Sequence, residues 1–174
     1  MSRKFRVSSG RWRISFSIDA VETEAFTGKL AFGSIPRSPT DAKAIADWGA
    51  DLVISLVPEE DMARYDALDL PDWIANAGLS WLHLPIEDYQ APETTFEAAW
   101  LDHQSRIHEI LGNGGRVFVH CAAGFGRSGT VVARILLEAG VSLAEALEVT
   151  RAARPGAVET AGQETYLKNI TKIQ

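Results

Sequence analysis

Val117-Phe118-Val119-His120-Cys121-Ala122-Ala123-Gly124-Phe125-Gly126-Arg127-Ser128-Gly129-Thr130 leads directly into Val131-Val132-Ala133-Arg134-Ile135-Leu136-Leu137. A short apolar run reads as a strand, the glycine-bearing stretch as a loop, and the second apolar run as a helix. A strand that feeds a glycine loop and then a helix N-terminus points several backbone N–H groups at one spot. The positive end of the helix dipole lies there too, which makes a seat for an anion. The chain's only cysteine opens this loop and an arginine closes it. An arginine fork can grip two oxygens of a phosphate, and a cysteine sulfur can attack the phosphorus.

The seat also tells on the thiol. A free thiol ionises near pH 8.5, but at helix N-termini or beside cations the value falls to roughly 3.5–7.5. Cys121 is therefore expected to react as a thiolate. Ser128 can offer its hydroxyl to the sulfur when the sulfur becomes a leaving group. His120 is expected to order the loop by bonding nearby backbone, because a thiolate already formed needs no base. The competing reading makes Cys121 a small buried residue at a strand end. It leaves the joint presence of His120, Gly124, Gly126, Arg127 and Ser128 unexplained.

At these residues the chain resembles the cysteine-based protein phosphatases, whose signature is His-Cys-x5-Arg-Ser/Thr. Within that group it is most similar to the dual-specificity branch, in particular the kinase-associated phosphatases. Three other stretches carry the narrower likeness. Gly28-Lys29-Leu30-Ala31-Phe32-Gly33-Ser34-Ile35-Pro36 resembles the family's early strand. Leu84-Pro85-Ile86-Glu87-Asp88-Tyr89-Gln90-Ala91-Pro92 resembles its general-acid loop. Gly156-Ala157-Val158-Glu159-Thr160, with Gln163 and Tyr166-Leu167, resembles the segment that carries a glutamine facing the active site. The likeness spans roughly residues 28–170. It departs from the family in lacking a cysteine near the early turn, and no residue identifies a kinase partner.

The resemblance implies roles residue by residue. Cys121 would be the nucleophile and Arg127 the phosphate and transition-state ligand. Cys121, Ala122, Ala123, Gly124, Phe125, Gly126 and Arg127 would form the phosphate-binding loop. Asp88 would be the general acid and then the base, ahead of Glu87, because the proline follows it at the family spacing. Gln163 would position the hydrolytic water, against a default reading as a polar residue on a solvated helix face. No cofactor is implied, and no metal: His83, His103 and His108 form no ligand pattern. The implied reaction removes phosphate from protein Tyr and Ser/Thr. Ala122, Ala123 and Phe125 stand where phosphoinositide phosphatases of the superfamily usually carry lysines, which disfavours an inositol lipid. A small phosphorylated metabolite stays open. A rhodanese-like sulfurtransferase would not need arginine six residues after the cysteine, and a non-catalytic phosphoprotein-binding module would not need the cysteine, arginine and aspartate together.

The rest of the chain fits such a catalyst. Its 174 residues carry a net charge of −6. Arg3, Lys4, Arg6, Arg11 and Arg13 all precede the first acidic residue, Asp19, so the body is more acidic than the net figure. An acidic body argues against nucleic acid as a partner, and no apolar run is long enough to span a membrane. One cysteine cannot form an internal disulfide, and a working thiolate suits a reducing compartment, so a cytoplasmic location is expected. Residues 1–10 read as a flexible basic tail and 11–174 as a single catalytic domain.

Strands are predicted over Trp12–Ile18, Leu30–Phe32, Leu52–Val57, Leu79–Leu84 and Val117–His120. Helices are predicted from Thr40 or Asp41 to Trp48, over Pro58–Tyr65 and Pro71–Ala77, from Thr94 or Thr95 to the Gly112-Asn113-Gly114-Gly115 stop, through the signature to Gly140, after Ser142, and over Thr160–Ile173. A Ser142/Glu145 capping box is expected. Alternating strands and helices indicate an α/β fold with a mostly parallel central sheet flanked by helices, as in protein-tyrosine-phosphatase-like folds.

Overall fold

In the computed structural model, which describes residues 15–171, Arg116–His120 (β5) runs through the middle of the molecule, flanked by Lys29–Gly33 (β2) and Leu52–Ser55 (β3). Val117, Phe118 and Val119 are buried without alternation. That is the pattern of a parallel strand covered on both faces. Ser80–His83 (β4) adds to the outer side of β3. Asp19–Ala20 (β1) closes the other edge, antiparallel to β2. The order is β1-β2-β5-β3-β4, and every pairing except the first is parallel.

The helices are Pro39–Trp48 (α1), Glu59–Arg64 (α2), Leu70–Asn76 (α3), Thr94–Gly112 (α4), Gly126–Glu138 (α5), Leu143–Ala153 (α6) and Ala161–Ile170 (α7). The chain steps outward from β2 to β3 to β4, then doubles back to β5. With right-handed crossovers, α1 and α3 fall on one face of the sheet and α4 on the other, where α5, α6 and α7 also pack. Gly126 to Leu137 of α5 are all buried, so α5 is a core helix and its N-terminus is fixed in place. Arg134 inside it is held by charge and by rings. Its Nη1 lies 2.5 Å from Glu97 and its Nε 2.8 Å from Glu138. Its guanidinium sits 4.9 Å over Trp100 and also packs on Phe96 and Tyr166. A buried charge needs such pairing, and here it ties α4, α5 and α7 together.

The mostly parallel α/β architecture agrees with the sequence reading, and several boundaries shift. Ser38, rather than Thr40 or Asp41, caps α1, accepting from the Asp41 N–H; Pro39 then takes the first helical position, where a missing N–H does no harm. The expected strand over Trp12–Ile18 lies partly outside the described residues, and Ser15–Ile18 are not in a strand; the edge is only Asp19–Ala20. Ser142 caps α6 through the Glu145 N–H. The two-way capping box is found at α7 instead, between Thr160 and Gln163. The predicted tail at 1–10 lies outside the described residues. Among the described residues, no helix is long and apolar enough to cross a membrane.

Candidate active site

Ligand sites of open parallel sheets form beyond the carboxyl ends of the strands, and Cys121 follows the end of β5. The loop from Cys121 to Arg127 is shaped by where its carbonyls go. The Cys121 carbonyl lies 3.2 Å from His120 Nδ1. The Ala122 carbonyl accepts from the Ile35 N–H at 3.0 Å, and Phe125's accepts from Val158's N–H at 3.2 Å. Ala123's accepts from Arg154 Nη2 at 2.8 Å. A trans peptide points its N–H opposite its C=O, so carbonyls bound on the outside turn the following amides inward. One such amide, Gly124 N–H, donates to Cys121 Sγ at 3.3 Å. Gly124 has φ +83°, and a Cβ on it would sit 2.4 Å from the Gly33 carbonyl carbon. Only glycine fits that approach.

The sulfur has a second partner, Ser128 Oγ, at 3.3 Å. His120 is fully buried and its tautomer follows from its neighbours. A carbonyl only accepts, so Nδ1 carries the hydrogen toward Cys121 O, and Nε2 accepts from Ser55 Oγ–H at 2.5 Å. Ser55 Oγ in turn accepts from Trp81 Nε1 at 2.7 Å. Burial, with the positive fields of His83 and Arg127, holds His120 down at about 4, so it is neutral.

Arg127 is buried at the first turn of α5. Its Nη1 donates to the Ile86 carbonyl at 2.9 Å, and its Nη2 lies 3.0 Å from Asp88 Oδ1. The Asp88 side chain is 51% exposed while Arg127's is 3% exposed, so the carboxylate reaches the fork from the solvent side. Tyr89 follows Asp88 with φ 59°, and its N–H donates to Asp88 Oδ1 at 3.1 Å.

These groups share a cavity of about 110 Å³. Cys121 and Arg127 form its buried floor, Tyr65, Tyr89 and Phe125 its partly exposed rim, and Asp88, Glu159 and Gln163 its sides. Burial and the Asp88 carboxylate push the Tyr65 phenol up, which keeps it a hydrogen-bond donor. A larger groove of about 430 Å³ is lined by Glu87 and Gln90, with neither Cys121 nor Arg127.

Gln163 is not on a solvated face; it is buried. Its Oε1 accepts from the Glu159 and Thr160 N–H groups, and its Nε2 donates to the Gln90 carbonyl at 3.2 Å. The amide therefore both caps α7 and touches the Asp88 loop. Val158, a β-branched residue, has φ 58°, a backbone conformation that needs external support. Arg151 supplies it, donating to the Ala157 and Val158 carbonyls at 3.0 and 3.2 Å. Of the other histidines, His83 bonds the Val57 carbonyl and stacks on Trp81, and His108 pairs with Glu138. Among the described residues, no three His, Cys, Asp or Glu side chains converge as a metal site would require.

Sequence reasoning missed Tyr65, Glu159 and Arg154. Tyr65 and Arg154 carried no local signal, one ending a short helix and the other preceding a Pro-Gly break. Ser55 had one: it is the polar residue that interrupts the apolar run Leu52-Val53-Ile54.

Residues 25–167 match the family model described as the DSP-PTPase phosphatase domain of a Swiss Army Knife protein. The chain belongs to this family of cysteine-based phosphatases. The human protein tyrosine phosphatase type IVA 3 is 33% identical over 150 residues, covering 80% of this chain and 79% of that protein. The solved structure of Tk-PTP in its active form is 34% identical, with a TM-score of 0.69 over 88% of this chain and 97% of that one. The kinase associated phosphatase, solved with its catalytic-site cysteine replaced by serine, shares the fold at a TM-score of 0.80. It is 21% identical over 91% of this chain and 95% of that one. Against other curated relatives the phosphatase domain spans much less, 14% and 39% of their length.

Proposed function

We propose that this domain hydrolyses phosphate monoesters on protein Tyr and Ser/Thr side chains through a cysteinyl-phosphate intermediate. The observation that carries the reading is one sulfur in contact with both the Gly124 amide and the Ser128 hydroxyl, on the same cavity floor as a buried arginine fork.

In the first step the Cys121 thiolate attacks phosphorus in line, forming the S–P bond as the P–O bond to the leaving group breaks. Arg127 and the inward amides hold the equatorial oxygens, where charge is carried in the transition state. Arg127's fork turns from Asp88 to the phosphate; the freed Asp88 carboxylate takes a proton from solvent beside the incoming phosphate and gives it to the departing oxygen. In the second step Asp88 takes a proton from water, the water oxygen attacks phosphorus, and the S–P bond breaks. The Ser128 hydroxyl stabilises the returning thiolate. Gln163 has a second Nε2 hydrogen beyond the one given to Gln90, and that hydrogen orients the water.

The sides of the cavity support a substrate with a single phosphate. Glu159 Oε2 would lie 3.0 Å from a Cβ on Gly126, so a carboxylate stands beside the phosphate loop. With Asp88 opposite, a second phosphate on an inositol ring would meet like charge on two sides. The low, partly exposed aromatic rim suits side chains presented on a peptide.

The test pairs Cys121→Ser with substrate panels. Wild type should release phosphate from p-nitrophenyl phosphate and from phosphotyrosine and phosphothreonine peptides, faster than from phosphoinositide vesicles. Cys121→Ser should lose turnover and keep phosphate binding. Thiocyanate formation from thiosulfate in place of phosphate release, or faster turnover of the vesicles, would overturn the reading.

A further inference from the structure

One buried cation beside the active site takes no part in the steps above. Arg154, just after α6, is buried, and its guanidinium makes four contacts at once. Nη1 lies 2.6 Å from Asp19 Oδ2 on β1 and 3.0 Å from Ser17 Oγ. Nη2 donates to the Ala123 carbonyl at 2.8 Å. The guanidinium carbon lies 4.3 Å from the centre of the Phe125 ring.

The Ala123 carbonyl and the Gly124 N–H belong to one planar peptide unit. Arg154 holds its oxygen end, and Cys121 Sγ accepts from its nitrogen end at 3.3 Å. A cation on the carbonyl polarises the peptide and makes its N–H a better donor. Glycine on the nitrogen side lets this peptide rotate at little cost, so local sequence alone does not fix which end faces the sulfur. A carbonyl turned inward would oppose both a thiolate and a phosphate dianion.

We infer that Arg154 is a positioning residue that orients and polarises the Ala123–Gly124 peptide, and thereby sets the reactivity of the Cys121 sulfur without touching substrate. Asp19 anchors the guanidinium from the edge strand, and the Phe125 ring holds it against the loop. A fork is needed for these roles, because an ammonium cannot span Asp19 and Ala123 in one plane while stacking on a ring.

The test uses Arg154→Met and Arg154→Lys in the full chain, with thermal melting as the folding control. Three quantities are read: kcat/KM on p-nitrophenyl phosphate, the orthovanadate inhibition constant, and the pH at which iodoacetamide alkylation of Cys121 is half-maximal. Arg154→Met should weaken vanadate binding about tenfold to a hundredfold, as expected for one lost hydrogen bond to a charged group. The alkylation midpoint should rise by about one pH unit, and Arg154→Lys should show smaller shifts in the same directions. A folded Arg154→Met with the parent's alkylation midpoint and vanadate affinity would overturn the assignment. If Arg154→Met does not fold, Arg154→Lys decides: shifted values support the role, and parental ones overturn it.

Discussion

At the scale of single residues, Arg127 and Asp88 divide the proposed chemistry between geometry and proton supply. Arg127 is useful because its fork is rigid and is already aimed, with one nitrogen on the Ile86 carbonyl and another free to exchange Asp88 for phosphate. A lysine keeps the charge and loses the second oxygen. Arg127→Lys should therefore reduce kcat/KM on p-nitrophenyl phosphate by about 10²–10³-fold, the scale of losing a transition-state donor. Steady-state kinetics showing near-parental values would remove Arg127 from that role. Asp88 matters only where the leaving oxygen needs a proton. Asp88→Asn should cost about 10²–10⁴-fold on an alkyl phosphate, and much less on p-nitrophenyl phosphate, whose leaving group departs without help. A loss equal on both would assign the acid elsewhere, with Glu87, in the larger groove, as the next carboxylate to replace.

At the scale of elements, the N-terminus of α7 links helix capping to the proposed acid loop. Thr160 caps the helix through the Gln163 N–H, and its hydroxyl also lies 3.4 Å from the Tyr89 carbonyl. Thr160→Ala should lower unfolding free energy in urea by about 1 kcal/mol, the ordinary cost of a lost cap. If the cap also steadies the loop, kcat on an alkyl phosphate should fall further than kcat on p-nitrophenyl phosphate. The same junction shows what could be read from chain order. The grouping of Cys121, Arg127 and Ser128 is legible from their spacing, because strand, loop and helix are local and contiguous; Asp88 stands far back in the chain and is reached only through the likeness of its loop, and the fold brings it within 3.0 Å of Arg127. For Gln163 the sequence leaves a solvated helix face open beside the water-positioning role, because nothing in it places the Asp88 loop against α7; in the fold Gln163 is buried and its amide bonds the Gln90 carbonyl. Arg154 was invisible for the same reason, since its partners Asp19 and Ala123 are far away in the chain. The central strands were legible as unbroken apolar runs. The edge was not, because Asp19–Ala20 is too short to show a pattern.

At the scale of the whole molecule, one buried imidazole makes stability depend on pH. His120 on β5 bonds Ser55 on β3, which bonds Trp81 on β4, so a polar chain crosses three strands beneath the phosphate loop. Every hydrogen in that chain is assigned for a neutral ring. Protonating Nε2 would turn the acceptor of the Ser55 Oγ–H into a donor, so the hydroxyl would have to turn away and give up that bond in a fully buried site. Burial holds the folded-state value at about 4 against an ordinary 6.5, so between those values the unfolded chain binds the proton and the folded chain does not. Stability therefore rises with pH across that window. His120's contribution is complete above about pH 6.5 and is lost as pH falls toward 4. The His120 shift alone predicts a loss of about 2 kcal/mol between pH 7.5 and pH 5. Glu138 adds to the loss only at lower pH: burial opposes its ionisation, but His108 and Arg134 hold it below the ordinary carboxylate range. Urea unfolding at pH 7.5, 6.0 and 5.0 measures the slope, and His120→Asn should flatten it while lowering stability at pH 7.5. A parental curve already flat over that range would mean that the ring is charged or hydrated in the fold, and that the Trp81–Ser55–His120 chain is not the support on which the phosphate loop rests.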